Sequence, residues 1–362
     1  MASLPKKCDN TLTFIIKSRI MEVSWTNNSF PLALTPMIRP QSAGRQGYIY
    51  KRRFNIIMKE SILNQFRLTV LEQGFGVYGI NVYRKGRGEV SHRWRADDRV
   101  CLFSGSKTFT SVGVGICRDE GLLKLTDTVL SFFPEYGNIA SERSDAITIR
   151  DLLHMSSGKN VFYFSGEEQE KETNDWAKLF FLDPMKCEAG SEFFYSNACT
   201  YMLSRIVEKV SGLTLRDYLI PRLFNPLGIF NPQWHTCPDG HTLGATELYL
   251  TTGEFSKLGL LLLNGGVHGD TRIVSEAYLN EAVTDIISTA NSSYDPGECT
   301  NGYGYQLWRC SYKGAYRADG KYGQFSVVFP EREAVVTVTS HEEYRTADIL
   351  RAIYNDIIPY LD

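Results

Sequence analysis

Ser104 and Lys107 stand three residues apart in the stretch LFSGSKTF, at the start of what reads as an apolar helix. Positions i and i+3 of a helix share one face, so hydroxyl and amine meet if the helix begins near Ser104. A serine hydroxyl is a poor nucleophile until a base takes its proton, and burial supplies that base by disfavouring the charged form of lysine. A helix N-terminus adds N–H groups and positive potential where an oxyanion would form. The pattern suits attack on a carbonyl. Ser-x-x-Lys also arises by chance, with the serine as a helix cap and the lysine in solvent, so the chemistry requires partners elsewhere.

Two further segments offer them. EAGSEFFYSNACTYML places Tyr195 and Asn197 just ahead of a helix, and ADGKYGQFSVVF places Lys321, Tyr322, Gly323 and Gln324 at the entry to a strand. A tyrosine can relay a proton between Ser104 and a leaving group, its phenolate being favoured by nearby lysines. Gly323 at a strand edge lets substrate backbone approach closely, and the following N–H, that of Gln324, can face an oxyanion. Tyr303 and Trp308 of NGYGYQLW read as strand core, with the mouth of the site as their alternative place.

Other motifs lack the residues their chemistry needs. GSKT ends like a phosphate-binding loop, but Ser106 stands where a glycine must precede the lysine and Cys101 where the first glycine belongs. His235, Cys237 and His241 of WHTCPDGH have no fourth ligand, so no metal is expected. His154, near Ser156 and Ser157, lacks a Gly-x-Ser-x-Gly elbow and reads as packing.

The elements that must hold these residues follow from periodicity. MKESILNQFRLTVLEQ turns helical at Met58, and GFGVYGINVYRKG with EVSHRWRA alternates around Lys85-Gly86-Arg87-Gly88 as a hairpin. Residues from about 104 to 290 are helical and loop-rich, with NACTYMLSRIVEKVSG and TTGEFSKLGLLLLNGG each stopping at glycine. Strands return in GYGYQLWRCSY, GQFSVVFP and AVVTVTSH, before a closing helix in EEYRTADILRAIYNDIIPYL. Strands at both ends with helices between them predict an α+β fold: an antiparallel sheet from about 75–100 and 302–342, flanked by helices, with an inserted helical lobe. Residues 58–362 form the expected domain. Residues 1–57 have no clear period and stand either as an N-terminal extension or as sequence upstream of a start at Met58.

Composition narrows the partners. A chain of 362 residues with 43% hydrophobic and 22% charged residues holds a sizeable core, and a net charge of -2 offers no broad basic field, so no nucleic acid is expected. Eight cysteines without regular close spacing read as reduced thiols, and no run approaches the roughly 20 apolar residues that span a bilayer. The expectation is a soluble, cytoplasmic protein acting on a small molecule or short peptide, without membrane contact; oligomeric state is not readable.

The segments FSGSKTFTSVGVGICRDEGLLKLTDTVLSFFPE, ITIRDLLHMSSG, YSNACTYMLSRIVEKVSGLTLRDYLIPRLFNPLGI and LGATELYLTTGEFSKLGLLLLNGG, taken in order, resemble the serine β-lactamase and penicillin-recognising enzymes. Among these, the class C type β-lactamase-related hydrolases are the most similar, from about Phe75 to the C-terminus. The resemblance implies the β-lactamase/transpeptidase-like fold, no cofactor, and an acyl-enzyme on Ser104 formed while Lys107 and Tyr195 share its proton. It implies an oxyanion hole from the N–H groups of Ser104 and Gln324, and Asn197 orienting the substrate amide and Lys107. Lys321 would hold Tyr195 anionic and attract a substrate carboxylate. Lys-Tyr-Gly in place of Lys-Thr-Gly weakens the antibiotic reading, and Tyr-x-Asn without a deacylating glutamate departs from the class A type. The expected function is serine hydrolysis of an ester, amide or β-lactam, with a D-amino-acid peptidase or a non-catalytic penicillin-recognising sensor as alternatives.

Overall fold

A computed structural model describes residues 11–16, 19–24, 58–163, 168–295 and 297–361. The chain divides into two compact units, Met1–Arg53 and Phe54–Asp362. In the first, Thr11–Ile16 pairs antiparallel with Arg19–Ser24. The reading of residues 1–57 as extension or upstream sequence falls mostly outside the described residues.

The second unit is built on a six-stranded antiparallel sheet. Its strands are β1 (Val77–Arg84), β2 (Gly88–Arg93), β3 (Trp308–Arg309), β4 (Tyr316–Gly320), β5 (Gln324–Phe329) and β6 (Ala334–Ser340). Their order is β3-β4-β5-β6-β1-β2, so the hairpin from the start of the domain joins strands from its end. Register is set by pairs such as Val336 with Val82 and Gly320 with Gln324. Because side chains alternate across a strand, Val327 and Val336 enter one apolar cluster while Val328 and Val335 enter the other. With both faces covered, β5 and β6 read as nearly continuous apolar runs.

Five helices matter for the site: α1 (Asn64–Gln73), α2 (Ser106–Asp119), α3 (Asn197–Ser211), α4 (Thr252–Leu263) and α5 (Thr346–Asp356). On one face, α1 and α5 close a cluster that includes Phe66, Val70, Ile349 and Ile353. On the other, α4 packs on the sheet, where a Cβ on Gly259 would fall 2.5 Å from Val335. A capping box at Thr251 and Glu254 starts α4. Its C-cap is Asn264 rather than glycine; α3 does end on a left-handed glycine, Gly212 at φ 72°. Beyond α4, α2 and α3 contact each other within the helical lobe.

The sequence reading differs from the structure on the strands before β5. GYGYQLWRCSY contributes only Trp308–Arg309 as regular strand, with Tyr303 bridging to Ile287 and Trp308, because the buried Gln306 at φ 62° breaks the extended chain. Tyr316–Gly320 is a full strand that periodicity passed over. Its Arg317 and Asp319 occupy positions where alternation calls for apolar side chains.

Candidate active site

Ser104 lies in a short 3-10 turn, Phe103–Gly105, that leads directly into α2. Phe103 adopts φ 47°, a left-handed conformation that a bulky residue takes only when its surroundings impose it. Leu102 N–H donates to Leu248 O at 2.8 Å, and the Phe103 ring packs edge-on against Tyr322 with centroids 5.1 Å apart. These contacts hold the turn, and Ser104 stays partly exposed at its outer edge.

One turn on, Lys107 is 1% exposed. Its Nζ donates to Ser104 Oγ at 3.0 Å, Asn197 Oδ1 at 2.6 Å and Ala245 O at 2.9 Å. Burial pushes its pKa down to about 7. In the free-base form, two N–H groups stay on Asn197 and Ala245 and the lone pair turns to Ser104, which is the orientation a base requires.

Asn197 opens α3 and is fixed from behind by Nδ2 donating to Tyr163 O at 3.2 Å. Ser196 donates through Oγ to Val161 O at 2.7 Å, locking the entry to that helix. Gln306 ties the lobe together: its Oε1 accepts from Thr200, its carbonyl from Thr108, and its Nε2 donates to Leu152 O and Leu153 O. The backbones of α2 and α3 are thereby held in one register across the site.

Tyr195 sits with its ring centroid 5.0 Å from Lys107 Nζ. Burial raises its pKa, a hydrogen bond with Ser104 opposes the rise, and the Asp319 carboxylate adds to it. The resting phenol is neutral. Lys321 is exposed, with its Nζ 4.8 Å from the Tyr322 ring centroid.

Lys321, Tyr322 and Gly323 form the turn between β4 and β5, at the entry to the strand that begins at Gln324. Gly323 takes φ 85°, and a Cβ there would meet Ser340 Oγ at 2.4 Å, so its glycine serves the turn. Gln324 is 1% exposed, with Nε2 donating to Ser340 O, and neither residue lines the cavity at Ser104. The close approach belongs to Gly320, whose Cβ would fall 2.1 Å from Leu102 O and 3.1 Å from Gly105 N. At this junction the N–H groups of Ser104 and Lys321 make no hydrogen bond among the described residues.

Ser104 opens into a cavity of about 430 Å³. Phe162, Tyr195, Tyr294 and Trp308 contribute aromatic wall; Tyr195 stacks on Trp308 at 5.6 Å, and Tyr303, 1% exposed, backs both rings. Arg317 and Asp319 of β4 also reach it. Sequence reasoning missed those two because the strand itself went unread; the ADG preceding Lys321 was the available signal.

The side chains considered for other chemistry have other partners. His241 Nδ1 pairs with Glu208, His235 Nε2 with Gln233, and Cys237 accepts from Tyr201. His154 Nε2 pairs with Asp285 O at 2.9 Å. No described helix is long and apolar enough to cross a membrane.

A serine at the mouth of a helix, a buried lysine one turn on and a Tyr-x-Asn segment thus stand together beside an antiparallel sheet. The chain belongs to the beta-lactamase family, whose model matches residues 69–358. It is 26% identical over 213 residues to the lovastatin esterase of Penicillium rubens, covering 51% of this chain and 53% of that one. It is 26% identical over 269 residues to the 6-aminohexanoate-dimer hydrolase of Paenarthrobacter ureafaciens, covering 67% and 66%. The chain thus spans about half to two thirds of the length of these curated relatives. Among solved structures, a simvastatin synthase mutant from Aspergillus terreus aligns with TM-score 0.67 at 17% identity, covering 83% of this chain and 96% of that one. A 6-aminohexanoate-dimer hydrolase homologue from Bacillus anthracis aligns with TM-score 0.66 at 18% identity, covering 81% of each. At these identities the structural likeness speaks for the α+β β-lactamase/transpeptidase-like fold.

Proposed function

We propose that the protein is a serine hydrolase that cleaves an ester or amide through an acyl-enzyme on Ser104. The observation that carries this reading is the triple coordination of the buried Lys107 Nζ, which aims its lone pair at Ser104 Oγ once the proton is lost. Lys107 takes the Ser104 proton as Oγ adds to the carbonyl carbon. Tyr195, a neutral phenol beside Lys107, passes its proton to the leaving group and is reprotonated by the Lys107 ammonium, which returns Lys107 to the free base. The developing oxyanion is received by the N–H groups of Ser104 and Lys321, replacing the pairing with Gln324 expected from sequence, because those two are unpaired at the Gly320 junction. Water then attacks the acyl carbon with Lys107 again as base, and the proton Lys107 takes passes to Ser104 Oγ as the acyl–oxygen bond breaks.

The relatives whose names include esterase and amide-dimer hydrolase support an ester or amide as the bond cleaved. Action in the cytoplasm on a small molecule or short peptide stays part of this reading. Kinetics with p-nitrophenyl butyrate test it: Ser104→Ala is expected to remove turnover and Lys107→Ala to lower kcat by roughly 1000-fold or more. A Ser104→Ala variant that folds and keeps most of the turnover contradicts it. A folded wild type that binds acyl donors without turnover supports the sensor alternative instead.

A further inference from the structure

We propose that Asp319 sets the charge preference of the Ser104 site, selecting acyl donors that carry an ammonium or guanidinium group over those that carry a carboxylate. This deepens the reading above and rests on Ser104 being the nucleophile.

Asp319 is the last residue of β4 before Gly320, and it lines the same cavity as Ser104 with 22% of its side chain exposed. Its Oδ2 accepts from Arg317 Nε at 2.7 Å, while Oδ1 makes no hydrogen bond among the described residues. Arg317 does not offset this charge for a substrate. It is 1% exposed, its Nε is taken by Asp319, its Nη1 donates to Glu298 O at 3.2 Å, and the Glu298 carboxylate lies 3.8 Å away. One guanidinium therefore faces two carboxylates.

Asp295 and Glu343 add negative charge to the cavity lining, and Lys321 is the one other cation among its described lining residues. Four carboxylates against two cations leave an acidic wall. Lys107 does not change the sign, since it lies beneath Ser104 with its N–H groups on Ser104, Asn197 and Ala245. Tyr195, Tyr294 and Trp308 line the same cavity, and the face of an aromatic ring attracts cations. A substrate carboxylate entering this space meets Asp319 with little water to screen the repulsion, whereas an ammonium finds the unpaired Oδ1 and the rings. The preference is the reverse of the carboxylate recognition expected from Lys321.

If Asp319 served only as the counter-ion that folds Arg317 into place, its removal would not alter discrimination between equally sized probes of opposite charge. Aryl boronic acids make this measurable without turnover: Ser104 Oγ adds to trigonal boron, its proton passes to Lys107, and a tetrahedral boronate forms. Affinities of phenylboronic acid and its 3-aminomethyl and 3-carboxy derivatives are measured by calorimetry on wild type, Ser104→Ala and Asp319→Asn, with folding checked by circular dichroism. Wild type is expected to bind the ammonium probe about 10-fold or more tighter than the carboxylate probe. In Asp319→Asn, which keeps an acceptor for Arg317, that ratio should collapse to about 3-fold or less. Wild type binding the carboxylate probe as tightly as the ammonium probe overturns the proposal, and this arm decides even if the variant does not fold. An unchanged ratio in folded Asp319→Asn overturns the assignment to Asp319. Failure of phenylboronic acid to bind in a Ser104-dependent way is a separate outcome that removes the nucleophile, and the proposal with it.

Discussion

At Lys107, two effects oppose each other. Three acceptors around Nζ favour the ammonium, while enclosure at 1% exposure favours the amine, and enclosure wins, bringing the pKa down to about 7. The consequence is a rate that rises with pH. The amine must be unprotonated to take the Ser104 proton, so kcat/KM for a neutral ester should climb through about pH 7 and then level off. A stopped-flow profile between about pH 5.5 and 9 checks this, and a flat profile contradicts the role given to Lys107. This pair was legible in the sequence because its geometry is local: three residues on one helical face need no knowledge of the rest of the fold. Asn197 and Tyr195 were legible for a similar reason, standing at a helix start whose pattern is strong. Asp319 was not, because what gives it meaning is a cavity assembled from distant strands and loops.

In the proposed mechanism, the element that positions the second oxyanion donor is β4 with its turn into β5. Gly320 brings this strand against the 102–105 turn so closely that no side chain fits between them. Gly320→Ala should therefore push β4 away from Ser104, destabilising the protein by about 1–3 kcal/mol and lowering kcat by roughly 100-fold. Thermal denaturation and ester kinetics on the same preparation measure both. A variant with unchanged kcat would show that the strand does not position an oxyanion donor. The sequence expectation puts the second donor at Gln324, the first residue of β5, whereas the proposed reading puts it at Lys321 in the turn before it. Whether an N–H faces the site or the ladder depends on the register of Gly320 with Gln324, and that register is a long-range property of the sheet.

Over the whole domain, the sheet separates two apolar clusters, and the site lies where its edge meets the helical lobe. The α+β order was readable because strand-like runs stand near both ends of the domain while the middle carries helical periods. The break at Gln306 and the charged strand at Tyr316–Gly320 were hidden because burial of Gln306 and Arg317 there is satisfied by tertiary hydrogen bonds. Seating Lys107 at the centre of this assembly has a cost that depends on pH. Its pKa is about 7 in the folded protein and about 10.4 in the unfolded chain, so between these values the unfolded chain binds more protons at this residue. Stability conferred at Lys107 must rise as pH climbs through that window. Urea midpoints of wild type and Lys107→Met, compared at about pH 6.5 and 9.5, should show the wild type gaining on the variant at the higher pH. A difference that does not move with pH contradicts the depressed pKa.

The most direct test of the central claim is intact-protein mass spectrometry after brief exposure to an acylating p-nitrophenyl ester and acid quench, followed by peptide mapping. The account predicts one added acyl mass on the peptide containing Ser104, absent in Ser104→Ala and decaying with time as water completes the cycle. Acyl mass on another residue, or an equal adduct in Ser104→Ala, would contradict it.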